Sequence, residues 1–379
     1  MAPTGALRLP AALAAALLVT LIVYASLFPF EGWIWPPGRS ATELLVLPWP
    51  RARLPFDLWS NYLGYLPLGT LLALAMRRPG LPGPRGLLVA LGAAALAGGL
   101  SFVLEVTQQF LPERHPSLLD WVLNTGGAAS GALLAPLLWR WGAPQRLVRG
   151  VAEWFDAGSA GALLLLLLWP VALLFPSPVP LGLGQVGPRV LPVLAAWLEG
   201  VPWVQPWHAA LVAESASAGP PGLHLLGGVS ALGLLAPCLV AYAVVAPGWR
   251  RAGFAVGAGV LTLVVLALST ALNFGPQHAL AWVSPGTWPG LAVGLLVALL
   301  LLPVSQRMAA GLGLVVITAG VLLVAQVPAD PYFALSLQRW EQGRFIRFHG
   351  LAQWIGWWWP FAAGLWLLSR LGAASTIRR

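Results

Sequence analysis

Three carboxylates in this sequence are each followed four residues later by an amide: Asp57 and Asn61, Glu105 and Gln109, Asp120 and Asn124. On a helix, residues four apart share a face, so each pair would present an acid and a hydrogen-bonding amide together. Carboxylates held in low dielectric acquire raised pKa values and serve as general acid or base. They can also hold a hard cation or anchor a polar ligand. Arg114, in the loop Leu111-Pro112-Glu113-Arg114-His115-Pro116, would supply a counter-charge.

The elements that must position these groups are membrane helices. The chain of 379 residues is 58% hydrophobic and 9% charged, with a mean hydropathy of +0.79, whereas soluble domains carry about 25% charged residues. So few polar side chains cannot clothe a water-facing surface of this size, and most of the exterior must face lipid. Ten stretches approach the roughly 20 apolar residues a spanning helix needs: 8–30, 57–76, 86–110, 118–140, 158–176, 223–246, 251–272, 288–304, 308–327 and 351–371. They are continuous and rich in Ala, Leu and Gly, without the alternation of a membrane β-barrel. The expected fold class is all-α, a polytopic bundle of ten membrane helices. The first stretch lacks a small-residue cleavage site before Phe28-Pro29-Phe30 and reads as a retained helix.

The net charge of +9 comes from scattered arginines, with no lysine, which sit between apolar runs instead of forming a stripe for nucleic acid. Arg77, Arg78 and Arg85 follow the second span, Arg140, Arg146 and Arg149 the fourth, Arg250 and Arg251 the sixth, Arg307 the eighth, and Arg370, Arg378 and Arg379 the tenth. All fall on the cytoplasmic side if both termini are inside. That orientation places the end of span three and the starts of spans two and four at one outer level, so the three acid–amide pairs are expected to share a polar pocket there. Ionisable groups within spans are expensive and face a protein interior or an aqueous cavity.

Each residue also has a structural reading. Asp57 at a helix start fits an N-cap, and Ser117 with Asp120 fits a capping box. Asn61, Gln109 and Asn124 fit interhelical hydrogen bonding. Glu105 lies about a turn and a half before its helix end, where no capping role is expected. Gly127 and Gly131, with Ala93/Ala97 and Ala94/Gly98, offer small faces for close helix packing.

The order Asp57-x3-Asn61-x2-Gly64-x2-Pro67-x-Gly69, then Glu105-x3-Gln109, then Arg114-x2-Ser117-x2-Asp120-x3-Asn124-x6-Gly131, resembles the VanZ-like family, named for a teicoplanin-resistance protein. Tyr24-Ala25-Ser26-Leu27-Phe28-Pro29-Phe30 is similar to the same family. The resemblance covers residues 8–140 and implies a membrane protein of the bacterial cytoplasmic membrane, linked to the cell envelope and to glycopeptide tolerance. A connection over 141–157 and a six-helix region over 158–371 complete the expected organisation.

In that region, Arg339, Arg344 and Arg347, interleaved with Trp340, Phe345 and Phe348, form a candidate headgroup-binding stretch. Trp197, Trp203 and Trp207 suit a helix lying in the interface. The lone Cys238 and the isolated His208, His224 and His278 give no metal set, and no phosphate-binding glycine loop is present. No cofactor is expected. Membrane lipids and a lipid-linked or glycan ligand are the expected partners. A binding protein, a carboxylate enzyme acting on an outer-leaflet lipid-linked substrate, and a transporter all remain open.

Overall fold

The computed structural model describes residues 8–28, 30–50, 55–77, 84–112, 114–156, 158–175, 177, 179–199, 203, 205–206, 222–274, 276–327 and 346–376. These contain helices and turns and no strand. The helices are α1 (Arg8–Leu27), α2 (Pro55–Met76), α3 (Pro84–Gln108), α4 (Leu118–Arg140), α5 (Ala143–Trp154), α6 (Ala160–Ala172), α7 (Gly187–Leu198), α8 (Leu223–Tyr242), α9 (Trp249–Phe274), α10 (Thr287–Leu300), α11 (Gln306–Ala325) and α12 (Ile346–Thr376). Helices satisfy their own backbone groups, which is what a lipid solvent demands.

Each of the ten apolar stretches contains a helix, and the protein is a multi-pass helical membrane protein. Six helices, α1, α3, α4, α8, α9 and α11, are both long and apolar enough to cross a bilayer. In α2, Asp57, Ser60, Asn61, Tyr62 and Tyr65 dilute the apolar run, and in α12 the tryptophans and Arg370 do so. The 13 residues of α6 and 14 of α10 rise only about 20 Å, short of the roughly 30 Å hydrocarbon core. Hydrogen-bonded turns through Leu174 and Val304 extend both. The sequence reading gave 143–154 no helix; α5 occupies it.

The chain divides into two compact units, Met1–Val151 and Ala152–Arg379. In the first, α4 packs against α2 and α3 through residues without side-chain bulk. A Cβ on Gly127 would lie 2.0 Å from the Tyr62 carbonyl oxygen, one on Gly131 1.9 Å from that of Leu66, and one on Gly69 1.9 Å from that of Ala128. Hydrogen bonds fix this contact: Tyr62 donates to Ser130 Oγ at 2.6 Å, and Thr70 Oγ1 to the Gly131 carbonyl at 3.0 Å. Ala93 and Ala97 are buried on α3, as their spacing suggested.

In the second unit α8 is central, packed against α6, α9, α10 and α11, and its second half is buried throughout. Trp359 of α12 donates to the Leu165 carbonyl of α6 at 2.7 Å. Arg251, read from sequence as a solvated topology signal, is fully buried. Its guanidinium donates to the carbonyls of Tyr242 (2.7 Å), Val245 (2.8 and 2.9 Å), Leu302 (3.0 Å) and Val304 (2.6 Å) and lies 4.9 Å over the Tyr242 ring. These carbonyls belong to the C-terminal ends of α8 and α10, where helices leave acceptors unpaired and favour cations.

The arginine distribution predicts that single cysteines at Trp141 and Ala246, both at exposed positions, escape a membrane-impermeant thiol reagent in intact cells, while one at exposed His115 reacts. Labelling of the first two would overturn the orientation. Cys238 is buried and is replaced by serine for this measurement.

Candidate functional site

The end of the first unit that carries Glu105 is built around the start of α4. Ser117 is the N-cap, its Oγ accepting from the amides of Leu119 (3.1 Å) and Asp120 (3.3 Å). In a reciprocal capping box the third residue would accept the cap's own amide. Here Ser117 N–H instead donates to Glu105 Oε2 at 2.8 Å. Glu105, the acid expected to have no capping role, therefore caps the neighbouring helix, because the loop after α3 returns the chain directly beneath its carboxylate.

Helix α3 ends at Gln108, so Gln109 leaves the face it was expected to share with Glu105. Gln109 N–H closes a tight turn on Val106 instead. Its side chain reaches the segment after α1, donating to the Leu44 carbonyl at 2.5 Å and accepting from Arg39 Nη1 at 2.8 Å. The inward amide is Gln108, which donates to the Ser26 carbonyl at 3.0 Å. Arg114 donates to the Phe28 carbonyl, closing the loop over the end of α1.

Deeper in the bundle, Asn124 Nδ2 donates to Ser101 Oγ at 2.9 Å, and the buried Tyr65 hydroxyl lies near the same serine and within electrostatic reach of Glu105. Three helices thus contribute Tyr65, Ser101, Glu105 and Asn124 to one buried polar cluster. Exposure is 6% at Glu105, 8% at Gln108 and 5% at Asn124. The Asn124 carbonyl oxygen has no partner.

Residues 30–50 lie across this end. Ile34 N–H donates to the Phe110 carbonyl and Leu118 N–H to that of Pro48, both at 2.9 Å. Trp35 meets the Phe110 ring edge-on at 5.4 Å. Phe30 adopts a left-handed backbone, φ 66°, uncommon for a bulky residue, and its ring lies 5.8 Å from Tyr24. The Glu43 carboxylate is held below its ordinary pKa by hydrogen bonds from the Ser40 amide and then its hydroxyl. Residues 30–50 thus cover the end of the bundle beside this cluster.

The remaining sequence candidates are less assembled. Asp57 falls at the third position of α2 instead of capping it, and its side chain lies outside the described residues. Asn61 is half-buried on α2, and Asp120 is half-buried in the first turn of α4, where an acid complements the helix dipole. Arg339 and Arg344 lie outside the described residues, as does the side chain of Arg347 in the first turn of α12. In the second unit, the crevice lined by Leu232, Ala236, Ile317, Val321, Trp359 and Pro360 is apolar and offers no titratable group.

Sequence reasoning missed Ser101, Gln108 and Tyr65. Ser101 stands four residues before Glu105 and Gln108 three after it, so the face was readable from helical spacing alone. Helices α1 to α4, with their acids and amides, form the section of chain that a family model matches. Residues 11–139 match the VanZ/LLP1 family model. The remainder of the chain is covered by no family model. Comparison with curated proteins and with solved structures gives no match. The matched region thus ends with α4, and of the motif residues that carried the resemblance, Glu105, Ser117 and Asp120 meet at the cap of that helix.

Proposed function

We propose that the VanZ/LLP1 region acts in the cell envelope by binding a lipid-linked or surface glycan component at its outer polar cluster. The observation that carries this reading is the buried unpaired end of Asn124, within a cluster that also holds the carboxylate of Glu105. Burying an amide group without a partner costs roughly 1–3 kcal/mol, and ionisable groups at membrane depth mark functional paths. A ligand hydroxyl or amide would satisfy the open end of Asn124, while Glu105 would accept a charge-assisted bond from it. The exposed tryptophans of the covering segment, Trp33, Trp35 and Trp49, hold that segment at the headgroup level, where a lipid-linked glycan presents its polar part.

Glu105→Gln is the discriminating variant, because the glutamine Oε1 still accepts the Ser117 amide while the charge is lost. Membrane abundance is expected to stay within about twofold of wild type. Affinity of the protein in nanodiscs for a fluorescent polyprenyl-diphosphate disaccharide should fall roughly tenfold or more, the worth of a charged hydrogen bond. Unchanged affinity in this variant and in Asn124→Leu would remove the cluster from the binding site. A fall in abundance restored by the double variant Glu105→Gln with Arg114→Gln would make Glu105 a structural partner only.

A further inference from the structure

Helix α5 has no buried residue, yet its sequence is sharply two-faced. At 100° per residue, Ala143, Leu147, Val151 and Trp154 line one side with Val148 beside them. Gln145, Arg146, Arg149 and Glu153 occupy the other. The middle of the apolar side is uncovered, with Leu147 70% and Val148 41% exposed, while Ala143, Val151 and Trp154 are half-buried. The helix directly follows the 23-residue apolar helix α4. Gly142, at φ 69°, separates the two in a conformation that glycine adopts without steric cost. The junction places exposed Trp141 and Arg140 immediately before α5, the residue types that mark a membrane boundary. At the far end Trp154 meets Trp249 edge-on at 5.5 Å.

A short helix of low average hydrophobicity, with an apolar face and a basic one, lies in the plane of a bilayer surface. Water on both sides would leave Leu147 and Val148 hydrated for no return. The charge decides the lipid: Arg140, Arg146 and Arg149 stand against Glu153 alone. We infer that α5 is an in-plane anchor that buries Leu147 and Val151 at the acyl boundary and binds anionic lipid headgroups through Arg140, Arg146 and Arg149, on the leaflet reached by the C-terminal end of α4. This inference does not depend on the outer cluster having a ligand.

The test uses the full chain in nanodiscs, with a bimane label on Leu147→Cys, the buried native Cys238 being left in place. Bimane emission should be shifted to the blue and quenched by brominated lipid. Brominated phosphatidylglycerol should quench at lower mole fraction than brominated phosphatidylcholine. The preference for the anionic lipid should fall by up to about fivefold for each arginine changed in Arg146→Gln and Arg149→Gln, and should shrink in high salt. Equal quenching by the two lipids overturns the anionic assignment. Water-like emission without quenching by either overturns the anchor. Blue-shifted emission that no brominated lipid quenches shows the face covered by protein, a second copy included, and also overturns it. Exposed Arg307→Gln serves as the control for net charge and should leave the preference unchanged.

Discussion

Arg251→Met is expected to unfold the second unit at a temperature lower by on the order of 10 °C. The guanidinium is the partner of four carbonyls at the ends of α8 and α10, and each buried acceptor left unpaired costs roughly 1–3 kcal/mol. A loss of about 4 kcal/mol or more follows, and for a unit of this size each kcal/mol moves the midpoint by roughly 2–4 °C. Lysine should not restore stability, because three donors on a point charge cannot span acceptors on two helices that the five donors of a planar fork reach. Arg307→Gln, at an exposed position, should leave the midpoint nearly unchanged. The measurement is provided by the protein itself: Cys238 is fully buried on the same helix as Tyr242, so a thiol-reactive fluorophore reports unfolding on heating. A midpoint for Arg251→Met within 2 °C of wild type would show that water or neighbouring donors replace the guanidinium.

The second large effect belongs to the first unit. Gly127→Ala combined with Gly131→Ala should destabilise it by roughly 3–5 kcal/mol, since overpacking costs about 1–3 kcal/mol at each site and here meets backbone instead of flexible side chains. Added methyl groups would sit at 2.0 and 1.9 Å from carbonyl oxygens of α2, so the helices must part. The Tyr62 and Thr70 hydrogen bonds across the contact would lengthen with them. Gly126→Ala is the matched control: its nearest neighbour is 3.8 Å away, and the helix gains up to about 1 kcal/mol in propensity. Survival of monodisperse protein after heating, read by size-exclusion chromatography, ranks the three. Equal survival of the double variant and Gly126→Ala would contradict the close approach.

Helix positions were legible because each apolar stretch is continuous and has only one way to satisfy its backbone in lipid. Helix α5 was hidden by its average polarity. Its apolar residues recur at helical spacing, and periodicity, unlike composition, carries that information. The polar end was legible as a neighbourhood and not as a set of bonds. Gln109 was assigned to the helix face that Gln108 occupies because the final turn tightens two residues before the apolar run stops, and helix ends are where such shifts fall. The bond from Ser117 to Glu105 depends on a loop returning to a particular depth, which spacing within either helix cannot reveal. Arg251 misled for a related reason. An arginine just after a span reads as a topology signal, whether it faces water or folds back under two helix ends.

The burial of Arg251 also sets an order on the making of the protein. Its first acceptors, Tyr242 and Val245, precede it in the chain, but Val304 follows it by 53 residues. At the roughly 5–20 residues per second of synthesis, the guanidinium waits on the order of 3–10 s, half-matched, before its last partner leaves the ribosome. Until then the hairpin of α8 and α9 holds a charge with half its acceptors, and the chain just after α10 completes the set.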